Sequence, residues 1–176
     1  MTNRRRMLAA TGAILATVSA APAWAADDTV LKLVSISLYL SKDIMAERGP
    51  TTDELSDYVK ALTDAARAVL AASPKQAGVS TSIVVGLRPP ARSRVWIVGG
   101  GLAAQRGLTS LLKAPLEALR APPVSGWNAF AINVELWGGG GPLADAEMPV
   151  PDEWRLALQA QGGGVLPDDA LRAVWP

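Results

Sequence analysis

Apolar residues recur along this chain at two spacings, and the switches between them predict its elements. Between Val30 and Leu40, the residues Val34, Ile36, Leu38 and Leu40 alternate with small or polar neighbours, the two-residue period of a strand. The run is apolar on both sides near Leu33, so a short helix is the competing reading. After Pro50 the period lengthens. Leu55, Tyr58, Val59, Leu62, Ala66, Val69 and Leu70 return at three and four residues, with Asp57, Lys60, Asp64 and Arg67 on the other side. Thr51 and Glu54 form a capping box at the start of this helix, and Ser73-Pro74 ends it.

The period then shortens again. Val79, Thr81, Ile83, Val85 and Leu87 share one face of a strand, and Val95 and Ile97 share one face of the next. The polar, stiff link Arg88-Pro89-Pro90-Ala91-Arg92 predicts a hairpin turn between them. Gly99-Gly100-Gly101 breaks the second strand. A helix follows from Leu102, with Leu108, Leu111, Leu112, Leu116 and Leu119 as its buried stripe and Pro115 as an expected kink or break. A final strand runs from Phe130 to Trp137 and buries Phe130, Ile132, Val134 and Leu136. Residues 138–141 are a glycine turn. The extended Met148-Pro149-Val150-Pro151 leads to two short helices with Pro151 and Pro167 at their first positions, separated by Gly162-Gly163-Gly164.

This order predicts an α+β domain over residues 26–141. It has a three- to four-stranded, partly antiparallel sheet covered on one face by two main helices. Residues 142–176 are a Pro/Gly-rich tail whose short helices pack on that core. Trp96 and Trp137 lie opposite the aliphatic stripes and are expected to pack under the tail, which carries Trp154, Leu156 and Leu171.

The first 25 residues follow a different rule. Arg4, Arg5 and Arg6 precede a modestly apolar stretch from Leu8 to Ala20, and Ala23-Trp24-Ala25 places small residues where a signal peptidase accepts them. The stretch is too short to span a bilayer, which needs roughly 20 residues. A cleavable export signal is therefore expected, with the working chain beginning at Ala26 in the periplasm. Asn3-Arg4-Arg5-Arg6-Met7-Leu8 is similar to the twin-arginine export pattern. No Cys lies near the cleavage point, which excludes a lipoprotein anchor.

The leader also changes the charge. The chain has 17 Lys+Arg and 16 Asp+Glu, and residues 1–25 hold three of the basic residues and none of the acidic ones. The remainder is mildly acidic, which removes the electrostatic case for nucleic acid as a partner. The chain holds no Cys and no His. That excludes disulfides, thiol nucleophiles, Ser–His–Asp catalysis and metal sites built from Cys or His.

Two constellations suggest binding. Gly99, Gly100, Gly101 and Ala104 match the G-x-G-x-x-G/A pattern between a strand and a helix, resembling flavin- and nicotinamide-binding proteins. In those, glycines admit a pyrophosphate and the helix start supplies free amides. The acidic residue such a site needs about 20 residues on is misplaced. Glu117 falls within the helix, Glu135 comes too late, and the motif's strand is the second arm of a hairpin. The other constellation is Arg88, Arg92 and Arg94 at the hairpin tip, able to hold an anionic partner. Asp152-Glu153 and Asp168-Asp169 resemble acid pairs but open helices, where negative charge is favourable.

The helix–strand–strand–helix–strand order over residues 52–137 resembles the C-terminal domain of TonB-type periplasmic proteins. The hairpin Val79–Val98 and the run Leu116-Glu117-Ala118-Leu119-Arg120-Ala121-Pro122-Pro123 carry the resemblance. The family's Ser-Ser-Gly after the second strand is replaced by the three glycines, and its membrane anchor is missing. The resemblance implies partner binding by pairing a final edge strand, here with Phe130, Ile132 and Val134. The leading expectation is thus a non-enzymatic module, needing no cofactor, that binds an envelope protein or peptide. The alternative is an exported cofactor-binding protein or oxidoreductase using the Gly99–Ala104 loop.

Overall fold

A computed structural model describes residues 30–139, 148–160 and 167–176. The leader and the tail's two glycine-rich links lie outside the described residues. Among the described residues nine elements follow in order: β1 (Leu31–Leu38), α1 (Lys42–Arg48), α2 (Thr52–Ala71), β2 (Val79–Arg88), β3 (Arg92–Val98), α3 (Leu102–Glu117), β4 (Asn128–Leu136), α4 (Asp152–Ala160) and α5 (Pro167–Val174). The four strands form one antiparallel sheet in the order β1-β4-β2-β3. The α+β reading holds.

Local chemistry sets the helix boundaries. At the start of α2, Thr51 Oγ1 accepts from the Glu54 amide at 3.3 Å while Glu54 Oε2 accepts from the Thr51 amide at 2.9 Å. Glu54 Oε2 also accepts from the Thr51 hydroxyl at 2.8 Å, and the two donations from Thr51, backbone first and then hydroxyl, hold the Glu54 carboxyl below its ordinary range. Helix α1 has no counterpart in the hydrophobic pattern because it is only two turns long. Its signal is local: Ser41 Oγ accepts from the Ile44 amide. Pro115 lies in α3 without ending it. Only the last turn follows it, so the missing amide forfeits a single bond to Leu111, and the helix continues to Glu117.

The sheet has two unequal faces. On the first, Ile83, Val85 and Leu87 of β2, Val95 and Ile97 of β3, and Phe130, Ile132, Val134 and Leu136 of β4 form one wholly buried cluster. It includes Leu62 and Leu70 of α2 and Leu108, Leu112 and Leu116 of α3. On the second, Val84, Ala129 and Ala131 meet Trp96, Trp154 and Leu171. The small residues make room for the large ones. A side-chain carbon added at Gly86 would stand 2.6 Å from Leu171 Cδ2 and 3.1 Å from Trp96. Trp96 therefore packs beneath α4 and α5, as the apolar tail residues require. Trp137 does not. Its backbone turns to φ 49° just after β4, which breaks the alternation and swings the ring into the first cluster.

Strand β1 pairs with β4, and its phase also departs from the simple alternation. Leu33 faces Val134 but Ser35 faces Asn133, leaving Val34 as an extra residue in a bulge. Leu31 and Leu33 before the bulge, and Ile36 and Leu38 after it, therefore stand opposite the buried residues of β4. On the other face, Asn133 Nδ2 donates to Ser35 Oγ at 2.9 Å and Ser37 Oγ at 3.2 Å, and Ser82 Oγ donates to Asn133 Oδ1 at 2.7 Å. This polar row ties β2, β4 and β1 together.

Cross-strand partners Ile36 and Ile132 differ in one respect that decides their roles: Ile132 is 0% exposed and Ile36 is 43% exposed. Ile132→Ala is expected to cost about 2–5 kcal/mol by opening a cavity. Ile36→Thr should stay within about 1 kcal/mol. Urea unfolding of the two variants checks both values.

Candidate functional site

The hairpin arginines project toward the chain's own C-terminal segment. Arg88 Nη1 donates to the backbone oxygens of Trp175 at 3.2 Å and Pro176 at 2.6 Å. Its guanidinium stacks 4.6 Å from the Trp175 ring and 5.8 Å from Trp127. Arg94 Nη1 donates to the Val174 carbonyl at 2.6 Å, and its Nη2 donates to Glu153 Oε2 at 3.1 Å. The same Glu153 oxygen accepts from Trp96 Nε1–H at 2.9 Å. Both cations thus sit at the carbonyl end of α5, where a helix leaves acceptors unsatisfied and a positive charge is favourable. The expected anion-binding cluster is corrected accordingly. Arg88 and Arg94 clamp the tail, and Arg92 alone stays exposed at the turn. Glu153, read as a helix-start charge, doubles as the partner of Arg94.

Gly99, Gly100 and Gly101 adopt φ values of 97°, 75° and 81°, so the β3–α3 turn itself explains three glycines in a row. At Gly100 a side-chain carbon would also come within 2.5 Å of Val79 Cγ2. Gly101 caps α3, and Ala104 sits in that helix's first turn. A dinucleotide site lies in the crevice at the carboxyl ends of parallel strands. Among the described residues β3 is an outermost strand whose one neighbour, β2, is antiparallel, so the loop borders no such crevice there. Neither candidate ribose acid is free. Glu117 Oε1 accepts from the Val95 amide at 2.9 Å, and Glu135 pairs with Lys32 at 3.0 Å.

Phe130, Ile132 and Val134 are brought together, but inside the sheet. All three are 0% exposed, and β4 is hydrogen-bonded to β1 on one side and β2 on the other. The expected free edge at β4 is thereby corrected: β1, from the start of the chain, occupies it. The hydrophobic pattern marks which strands exist and is silent on which become neighbours.

Among the described residues the sheet's edges are β1 and β3, and they differ. At β3, the Glu117 carboxylate occupies the Val95 amide and α3 packs along the strand. At β1, no element among the described residues pairs with the outer side. Beside that open edge lies a groove of about 420 Å³ between β1 and α2. Leu33, Ile36, Leu55 and Val59 form its apolar lining, and Thr52, Ser56, Lys60 and Thr63 complete it. Leu33 is 42% exposed and Val34 47%. The apolar run around Leu33 was the available signal for this surface.

A second cleft, of about 310 Å³, lies between α2 and the link Arg120–Pro123 and is walled by Tyr58. Burial pushes the Tyr58 phenol up, the nearby Glu117 charge adds to the rise, and Ser93 opposes it. Burial also raises Tyr39, whose hydroxyl donates to the Pro149 carbonyl and whose ring meets Trp154 edge-on. Tyr39 therefore pins the tail from its other end. Among the described residues, no group of three or more Asp or Glu residues is placed to hold a metal ion, and no helix is long and apolar enough to cross a membrane. No family model, curated protein or solved structure matches this chain.

The clamp has a measurable consequence. Arg94→Ala, which leaves the Val174 carbonyl and the shared Glu153 oxygen short of a donor, should cost roughly 1–3 kcal/mol. It should also move tryptophan emission to longer wavelength as Trp154 and Trp96 admit water. Arg92→Ala should stay within about 0.5 kcal/mol. Chemical unfolding followed by fluorescence distinguishes the two.

Proposed function

We propose that this chain is an exported periplasmic module that binds an extended segment of an envelope protein or peptide by adding it as a further strand on β1. The observation that supports the reading is the inequality of the two sheet edges. Unpaired backbone groups along an edge strand are a template for another strand, and proteins usually blunt them. Glu117 blunts β3. Strand β1 carries a bulge at Val34 and otherwise keeps apolar Leu33 and Ile36 exposed beside a groove. A strand laid on β1 gains main-chain hydrogen bonds from the edge and side-chain burial from the groove, the two parts of strand-addition recognition.

The surface belongs to the same class of binding expected from the sequence, at a different strand. Export accounts for the partner's compartment: the leader of residues 1–25 directs the chain to the envelope, where Ala26 becomes its first residue. The N-terminal sequence of protein recovered from the periplasm checks that step.

Binding is tested by panning a phage-displayed random peptide library against the processed protein and measuring the enriched peptides by calorimetry. Ile36→Lys, which puts a charge in the groove at a half-exposed site, should weaken them by at least about tenfold with the melting temperature held. Arg92→Ala should leave affinity unchanged. Peptides that bind Ile36→Lys as well as the parent protein would contradict the reading, as would a library that enriches nothing.

A further inference from the structure

The groove beside β1 contains one charged side chain, and its circumstances point to the chemistry of the occupant. Lys60 lines the groove, and its side chain is 78% exposed. Its Nζ reaches Asp64 Oδ2 at 3.2 Å, one turn along α2, while Arg67 Nη1 holds the other oxygen of Asp64 at 2.9 Å. One carboxylate therefore serves two cations. Arg67 is the better partner, with a less exposed side chain (25%) and the shorter contact. An exposed Lys–Asp pair of this kind contributes little. Lys60 can leave it, and Asp64 stays neutralised by Arg67.

The groove thus combines an open backbone edge, an apolar lining from Leu33, Ile36, Leu55 and Val59, and a spare positive charge at one point. We infer that its occupant is an extended peptide strand with apolar side chains at alternate positions and a carboxylate placed to meet Lys60. The open edge selects a polypeptide backbone over a lipid or a small apolar molecule. The two-residue period of a strand sends every second side chain into the groove. The carboxylate sets the register of the peptide along β1, since a charge pair at a surface acts more on specificity than on affinity. A second copy of this chain meets the requirement poorly. Its own β1, Leu31–Leu38, carries no acidic residue. The preference also runs against the mildly acidic balance of residues 26–176, so it arises from Lys60 locally and not from net charge.

This inference rests on the proposed strand addition at β1, and a thermodynamic cycle separates the two. The probes are a library-enriched peptide containing Asp or Glu and its amide counterpart, Asn or Gln at the same position. Each is titrated by calorimetry into the parent protein and into Lys60→Gln. The acidic peptide should bind the parent about three- to tenfold more tightly than the amide peptide. The difference should vanish in Lys60→Gln and shrink as salt is raised. Lys60→Arg should restore it. Peptides that need Ile36 but show no coupling to Lys60 would overturn the carboxylate and leave strand addition standing. Enriched peptides without acidic residues would do the same. A dimer in solution that Ile36→Lys dissociates would make a second copy the occupant. A groove that accepts peptides only after residues before Val30 are removed would make that segment the occupant, and either outcome refutes the inference.

Discussion

Strand β4 is hydrogen-bonded on both sides, to β2 through nine residue pairs and to β1 through seven, and most of the molecule's geometry follows from that. A strand in this position contributes side chains to both faces at its full length. On one face its Phe130, Ile132, Val134 and Leu136 meet the stripes of α2 and α3. On the other, Ala129 and Ala131 give a floor low enough for Trp154 and Leu171. The same placement carries β1 outward. The strand that begins the described chain becomes the sheet's boundary, and the strand expected to be the boundary becomes its centre.

The second face shows how the tail stays attached. Burial of Trp154 and Leu171 supplies the apolar contribution. Direction comes from polar contacts: Arg88 and Arg94 meet the carbonyl end of α5, Glu153 bridges Arg94 and Trp96, and Tyr39 holds Pro149 at the other end of the tail on the same face. Cations on the hairpin tip that look like a ligand site in the sequence are consumed by backbone acceptors some 80 residues away. A helix end requires donors or acceptors from somewhere, and here the nearest sheet edge provides them.

What was legible in the sequence was what local chemistry dictates. The Thr51–Glu54 box, the hairpin around Pro89-Pro90, the glycine turn after Val98 and the helix opening at Pro167 each involve residues within a few positions of one another, and each appears where expected. What was not legible depends on partners far along the chain. The bulge at Val34 shifts the phase of β1 because Leu33 and Ser35 must both find places opposite β4, a hundred residues on. Trp137 leaves the strand's alternation because its backbone turns to positive φ. The site suffered most from this, since an edge is defined by the neighbour a strand lacks. The helix–strand–strand–helix–strand order read from the hydrophobic pattern is present over α2 to β4, with β1 added on the side where a partner was expected.

The inequality of the two edges decides where a partner strand can add, and residue-resolved amide hydrogen exchange in the free protein measures it directly. In β1, amides that face β4 should exchange slowly and those that face outward should exchange close to the unprotected rate, giving an alternating pattern interrupted at Val34. In β3, the Val95 amide should be slow despite its outer position, because Glu117 accepts its hydrogen, and Glu117→Gln should leave it slower than its outward neighbours. Uniform protection along β1 would mean that its edge is already covered. A fast Val95 would mean that β3 is open as well. Either result would contradict the claim that β1 is the edge left for a partner.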